Sequence, residues 1–192
     1  MRGLSAKEHE WIAATAANVA LRSHVHFIFA AVPASDRYRL YPVAWAAMLA
    51  LMAAAAAAAW RPSLPFAEGF LAEAALFAVL SLIFEWEPIR LALVPRRIKH
   101  RQARRLAQLE FAARILAQPE PRGVLFFVSL GERYVEILAD RETHAKIGEA
   151  AWQQIVTAFT IAAKAGQLAE GANACIEACA AHLEQHFPRV PA

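Results

Sequence analysis

Two long apolar segments constrain the fold of this chain more than any other feature of its sequence. Residues 41–60 (YPVAWAAMLALMAAAAAAAW) contain no charged side chain and are about long enough to cross a hydrocarbon core as a helix. Residues 66–84 are richer in Leu, Phe, Val and Ile, and their acidic residues Glu68 and Glu73 lie near the start. The sequence therefore predicts a two-helix transmembrane hairpin within residues 41–87.

The composition favours the same interpretation. Hydrophobic residues make up 58% of the 192 residues and charged residues 19%, against roughly 45–50% and about 25% in soluble domains. This disfavours a disordered chain, which combines low hydrophobicity with high net charge. One alternative stays open because residues 53–59 are all alanine, which is nearly neutral for membrane insertion. The two segments would then be buried helices of a soluble bundle.

Basic residues predict how the hairpin is oriented. The connector between the apolar segments carries only Arg61. After the second segment, residues 96–105 contain six basic residues: Arg96, Arg97, Lys99, Arg101, Arg104 and Arg105. The positive-inside rule places such a cluster in the cytoplasm, so we expect a multi-pass protein of the inner (cell) membrane with both termini cytoplasmic. The first eleven residues are polar, and we expect no cleavable signal. We also expect the cluster to bind anionic lipid at the cytoplasmic face and not to bind nucleic acid.

The remaining residues alternate helical and strand patterns. Ser5 and Glu8 have the spacing of a capping box, at the start of an amphipathic helix that we expect to reach about residue 23. Strand composition occurs in residues 24–32 and again in residues 124–130 and 133–139, which form a predicted hairpin. Apolar side chains at helical spacing indicate further helices within residues 98–116, 152–163 and 176–187.

The first predicted helix and strand cannot form a stable fold alone, because a single strand has no sheet to join. We therefore expect the strand before the apolar segments to pair with the hairpin after them. The predicted fold is one α/β domain, a small mixed sheet flanked by helices, interrupted by the transmembrane hairpin. Its parts are residues 1–38 (helix plus strand), 41–87 (transmembrane hairpin), 95–118 (basic juxtamembrane helix) and 122–188 (C-terminal part of the domain).

These segments resemble a known family. RGVLFFVSLGERYVEILADRETHAKIGEAAWQQIV and the tail KAGQLAEGANACIEACAAHLEQHFP are similar to the C-terminal half of the TPM domain family, and residues 4–36 are similar to its opening helix and strand. The version with an inserted hairpin resembles the bacterial branch of uncharacterised membrane proteins. The resemblance implies an α/β sandwich in which helices flank a small sheet.

The family's known roles are diverse. They include acid-phosphatase-like proteins of the thylakoid lumen that take part in photosystem II repair, calcium-binding bacterial domains and a modulator of acetylcholine receptors in animals. The resemblance thus implies a divalent cation such as calcium as a candidate cofactor. Many relatives follow the second hairpin strand with a glycine-rich acidic loop, and this chain departs from them there with the sequence DRETHAK (residues 140–146).

Carboxylates and a histidine follow two of the predicted strands. Asp36 comes just after the first strand, and Asp140, Glu142 and His144 come just after the last. Ligands of α/β sheets often bind outside strand carboxyl ends, so these four residues are candidate metal or phosphate ligands. The competing interpretation is that Asp140 caps the strand exit, while Glu142 and Lys146 form a solvated pair.

Other chemistry-bearing residues have simpler interpretations. His24 and His26 share a strand face without visible further ligands, and we expect them to be exposed. Cys175 and Cys179 lie four apart in an alanine-rich helix, as two small buried hydrophobes would. Ser129 lacks the GxSxG context of a hydrolase nucleophile, and the sequence contains no Walker loop, GxGxxG or HExxH motif.

With no catalytic signature, we expect an interaction or accessory module. Its partners would be the anionic membrane surface and another membrane protein. The alternative is a divergent metal-dependent phosphatase that uses the loop from Asp140 to His144.

Overall fold

The computed structural model describes residues 5–36, 38–61 and 65–189. They divide into two compact units: the sheet unit comprises the described residues up to Ser35 and from His100 onward, and the hairpin unit comprises those within Asp36–Lys99. In chain order the elements are α1 (Ala6–Arg22), β1 (His26–Val32), α2 (Leu40–Trp60), α3 (Phe66–Glu85), α4 (Glu87–Leu93), α5 (Arg96–Phe111), a π-helical turn (Ala112–Leu116), β2 (Gly123–Ser129), β3 (Tyr134–Ala139), α6 (Arg141–Ile147), α7 (Glu149–Lys164) and α8 (Leu168–His186).

The sheet unit contains a three-stranded mixed sheet in the order β1-β2-β3. β1 runs parallel to β2, with His26 beside Gly123 and Val32 beside Ser129. β2 runs antiparallel to β3 through the tight turn at residues 130–133, where Arg133 adopts a left-handed backbone conformation. The predicted hairpin is confirmed, and so is the pairing of the first strand with it across the apolar segments.

Local sequence accounts for the helix that precedes β1. The Ser5 side chain accepts a hydrogen bond from the Glu8 backbone N–H, and the Glu8 carboxylate accepts one from the Ser5 N–H at 2.6 Å, so the predicted capping box is present. At the other end of α1, the Arg22 guanidinium donates hydrogen bonds to the carboxylates of Glu177 and Glu184 on α8. The C-terminal end of α1 is therefore held against α8.

Helices cover both faces of the sheet. On one face, α1, α7 and α8 pack around Phe126, whose ring centroid lies 5.4 Å from those of both Phe29 and Phe159. On the other face, Leu125 and Phe127 pack against α5 and the π-helical turn. β2 is buried along its whole length because it lies between two strands and between two helical layers.

In the hairpin unit, α2 and α3 pack along each other and α4 contacts both. Each of the two long helices is long and apolar enough to cross a membrane. The soluble-bundle alternative requires these helices to be buried. In the most apolar 18-residue stretch of each helix, 11% of the residues of α2 and none of those of α3 are buried, and Leu82 is 76% exposed. The connector turn predicted at residues 62–65 lies mostly outside the described residues.

Several local features differ from the sequence prediction. The short helices α4 and α6 were not predicted, and the basic helix, predicted within residues 95–118, runs from Arg96 to Phe111 and ends in the π-helical turn. α8 starts at Leu168, before the apolar stripe within residues 176–187 that predicted it, and the first strand starts at His26 and not at residue 24. Each of these elements is seven residues or shorter, or is an element end, where periodicity carries little information.

Candidate functional site

β3 is an edge strand, and one side of its backbone faces away from the sheet. The Asp140 backbone N–H donates to the Gly123 carbonyl oxygen at 3.0 Å, which marks these residues as a hydrogen-bonded pair. Such pairs alternate along an antiparallel ladder, so the residues of β3 whose backbone N–H and C=O groups face β2 are Tyr134, Glu136 and Leu138. The backbone N–H and C=O groups of Val135, Ile137 and Ala139 therefore point outward, and within the described residues they have no backbone hydrogen-bond partner.

Side chains from two helices turn this edge into a groove of about 410 Å³. Arg104 of α5 lines it on one side, and Trp152 and Val156 of α7 line it on the other. The polar residues His144, Glu149 and Gln153 complete the lining. The groove thus follows the full length of β3 and presents an extended, unpaired backbone between two helices.

β3 lacks most of the features that protect edge strands from pairing. It contains no proline, lysine or glycine, and its single charged side chain is Glu136. The Glu136 carboxylate accepts a hydrogen bond from the Tyr134 hydroxyl at 2.8 Å and lies 3.6 Å from the Arg104 guanidinium. The pKa of the Tyr134 hydroxyl is raised, mainly by burial and secondarily by its hydrogen bond to Glu136, so Tyr134 stays neutral. Because Glu136 is compensated by these neighbours, it does not oppose an incoming strand as a lone charge would.

The residues predicted as metal ligands do not follow the same end of the sheet. β1 ends at Val32, beside Ser129, whereas β3 ends at Ala139, beside Val124 at the other end of β2. Asp140 therefore lies at the end of the sheet where β1 begins. The expectation that the residues following β1 and β3 converge was wrong. The error has a physical cause, since β1 and β3 are antiparallel to each other. Asp36 itself is exposed in the hairpin unit.

Asp140 has a structural role. One carboxylate oxygen accepts from the backbone N–H groups of Glu142 and Thr143, and caps α6. The other accepts from the Gly123 N–H at 2.9 Å and from the Thr143 hydroxyl at 2.6 Å. The capping interpretation of Asp140 is thus confirmed, because both oxygens are engaged by protein donors.

The other candidates lie beside charged side chains near the protein surface. Glu142 lies 3.1 Å from the Lys146 ammonium and 3.3 Å from the Arg122 guanidinium, and His144 lies 3.5 Å from Glu149. No group of three or more His, Cys, Asp or Glu residues that could hold a metal ion is found among the residues that the structure describes. A metal role for these residues stays a prediction.

Three simpler predictions can be compared with the structure. His24 and His26 are exposed, as expected. Cys175 and Cys179 are buried free thiols, also as expected, and burial raises the pKa of the Cys175 thiol to about 11. Ser129 is a buried strand residue, not an exposed nucleophile.

One polar cluster was missed by sequence reasoning. The carboxylate of Glu132, in the β2–β3 turn, is buried and accepts hydrogen bonds from the Ser129 hydroxyl and from both the N–H and the hydroxyl of Ser35. This cluster ties the end of β1 to the turn. No local signal could have found it, because Ser35 and Glu132 are 97 residues apart in sequence.

Asp140→Ala separates the capping role from a catalytic one. Loss of the cap costs ~0.5–2 kcal/mol, and the Gly123 N–H, left without its acceptor, adds ~1–3 kcal/mol. We expect thermal unfolding of the purified chain to show a loss of about 2–3 kcal/mol, whereas Glu142→Ala, at an exposed ion pair, changes stability by less than about 0.5 kcal/mol. A variant as stable as the parent that has lost hydrolysis of a phosphomonoester would support the phosphatase alternative instead.

Comparison with known protein families gives a match to part of the chain. The family model described as TPM domain matches residues 89–182, which run from α4 into α8 and include β2 and β3. No curated protein and no solved structure matches the chain. α1 and β1 precede the matched range, yet they belong to the same sheet unit as the matched strands.

Proposed function

We propose that this chain, which contains a TPM domain, is a membrane-anchored accessory protein that binds a partner protein along the open edge of β3. The observation that carries the proposal is the outward-facing backbone of Val135, Ile137 and Ala139. An extended peptide can add to such an edge as a further strand, with main-chain hydrogen bonds supplying affinity and side-chain pockets supplying specificity.

The two walls of the groove define the chemistry of the partner segment. An added strand points alternate side chains toward α5 and toward α7. On the α5 side they meet the Arg104 guanidinium, which is 65% exposed and only loosely paired with Glu136. On the α7 side they meet Trp152 and Val156. A segment of another membrane protein that alternates acidic and apolar residues fits both walls.

The membrane anchor is proposed from α2 and α3. Two apolar helices with few or no buried residues are unfavourable in water, and their exposed hydrocarbon side chains match a bilayer core. The excess of basic residues after α3 supports an inner-membrane hairpin with both chain ends in the cytoplasm.

We also propose that the basic face of α5 binds anionic lipid. Arg97, Arg101 and Arg105 are spaced four apart, so they lie on one face of the helix, and all three are exposed. None of them forms an ion pair with another described residue. Two other members of the predicted cluster are engaged within the protein: Lys99 donates to the Leu91 carbonyl at 2.9 Å, and Arg104 lies beside Glu136. We therefore place the proposed lipid contact on Arg97, Arg101 and Arg105; Arg96, the remaining member of the predicted cluster, is also exposed.

The lipid proposal predicts a charge-dependent partition. Each basic residue near an anionic surface contributes ~1 kcal/mol, so replacing Arg97, Arg101 and Arg105 with Gln is expected to weaken binding about a hundredfold. The measurement is vesicle partition of a peptide spanning residues 94–118, with zwitterionic vesicles as the control. Equal binding of the parent and triple-Gln peptides to anionic vesicles would contradict it.

The interaction proposal is tested at Ala139, whose backbone N–H points outward. Ala139→Pro removes that N–H without removing a bond of the β2–β3 ladder, and proline is tolerated in strands at such positions. Ala139→Val keeps the N–H and serves as the matched control. With a photo-crosslinking residue in place of Gln153, we expect an adduct in native membranes that is lost in the Pro variant and retained in the Val variant. An adduct unchanged by Ala139→Pro, in a variant that unfolds at the parent temperature, would contradict the proposal.

A further inference from the structure

A second cavity, of about 280 Å³, lies in the sheet unit at the end of the sheet that carries the β2–β3 turn. It is lined by the turn, by the C-terminal half of α7 and by the start of α8, and it opens to the surface. Its apolar lining consists of Val128, Leu130, Val135, Phe159, Ala163 and Leu168. Val128 and Phe159, at 3% exposed each, belong to the hydrophobic core, so the cavity reaches the core itself.

The hydroxyl groups that line the cavity already donate their hydrogens elsewhere. The Ser129 hydroxyl donates to Glu132, the Thr160 hydroxyl to the Val156 carbonyl at 2.8 Å, and the Tyr134 hydroxyl to Glu136. A polar ligand inside the cavity would therefore find no free O–H donor among these groups. Since burying an unpaired polar group is costly, the interior suits a hydrocarbon.

The mouth of the cavity is positively charged. Arg133 and Lys164 both line it and are exposed, and neither forms an ion pair within the described part of the chain. None of the described residues that line the cavity is acidic. Near the end of α7, the carbonyl groups of Ile161, Ala162 and Ala163 accept hydrogen bonds from the backbone N–H groups of residues 165–167, which reduces their repulsion of an anion.

We propose that this cavity binds a free long-chain fatty acid, with its hydrocarbon chain among the apolar residues and its carboxylate at Arg133 and Lys164. The volume of about 280 Å³ lies just below the usual range for ligand sites, roughly 300–1,000 Å³. A cavity of this size suits one acyl chain better than the two acyl chains of a membrane phospholipid. The site is distinct from the proposed strand-addition groove in its chemistry, because it uses an apolar cavity and not the backbone of β3.

The test is equilibrium binding of radiolabelled palmitate to the full chain in nanodiscs of zwitterionic lipid. We expect saturable binding that is weakened about tenfold or more by Arg133→Gln combined with Lys164→Gln, because two attractive charges are lost. The matched control, Lys7→Gln combined with Arg141→Gln, removes two exposed charges elsewhere and leaves binding unchanged. Hexadecanol, which lacks the carboxylate, is expected to bind the parent and the Arg133/Lys164 double variant equally.

A second variant tests the cavity independently of charge. Ala163→Leu places additional methyl groups in the cavity and is expected to abolish palmitate binding, with the unfolding temperature showing that the fold is kept. Absence of saturable binding to the parent would overturn the proposal. So would binding insensitive to both variants, or competition by a diacyl anionic phospholipid as strong as that by palmitate. None of these results depends on the Ala139 test of the strand-addition groove.

Discussion

Phe126→Ala is expected to remove about 3–5 kcal/mol from the stability of the sheet unit, the usual cost of truncating a buried phenylalanine. Phe126 is fully buried at the centre of β2, between the rings of Phe29 on β1 and Phe159 on α7. These three residues come from segments on both sides of the apolar helices, so one substitution weakens the contact between all three. Because domains of this kind are stable by only about 5–15 kcal/mol, this loss is a large share of the total stability, and the unfolded fraction of the variant is expected to rise.

Hydrogen exchange of the β2 amides, measured on the full chain in nanodiscs, is the appropriate measurement. The protection of these amides is expected to fall by about 10²–10³-fold or more, in proportion to the lost free energy. Leu109→Ala, at a side chain that is 57% exposed, is the control and should change protection little. A loss below about 1 kcal/mol for Phe126→Ala would mean that β1, β2 and α7 do not share one core.

Much of the sheet unit could be predicted from sequence because its signals are local and strong. The Ser5–Glu8 capping box fixed the start of α1, and the apolar run of residues 124–130 followed by a polar turn identified β2 and β3. The pairing of β1 with β2 followed from a simple requirement, that a lone strand must find a sheet. Each of these inferences depended either on neighbouring residues or on topology in its simplest form.

The errors at the candidate site have a different origin. The direction of each strand relative to the others decides which strand ends meet, and the antiparallel relation of β1 and β3 separated the residues that follow them. The interpretation of Asp140 as a cap was correct, but the short helix α6 that it caps was not predicted, because it is too brief to show a period. Glu132 and Ser35 were missed because their contact joins residues far apart in sequence.

The open edge of β3 also could not be found from sequence. The sequence pattern identified β3 as a strand of a hairpin. It did not show that β1 pairs with β2 and leaves the other side of β3 without a neighbouring strand among the described residues. Nor did it show that Arg104 and Trp152 line the space beside it. Edge exposure is a property of the complete sheet, and this is why the candidate interaction surface emerged only with the structure.

We propose that two apolar helices anchor a cytoplasmic sheet unit whose chain they interrupt. Two findings support this proposal: α2 and α3 have few or no buried residues, and β1, which precedes them, pairs with β2, which follows them. A membrane hairpin explains both, since it returns the chain to the side from which it entered. An even number of crossings is required for the sheet to form.

Reporter fusions test this claim most directly. A cytoplasm-active and a periplasm-active reporter are each placed after Asp36, after Pro65 and after the last residue, in a bacterial host. We expect only the Pro65 fusion to be active in the periplasm and the other two to be active in the cytoplasm. Cytoplasmic activity at all three positions would contradict the membrane hairpin, and periplasmic activity after the last residue would contradict the pairing of β1 and β2 on one side of the membrane.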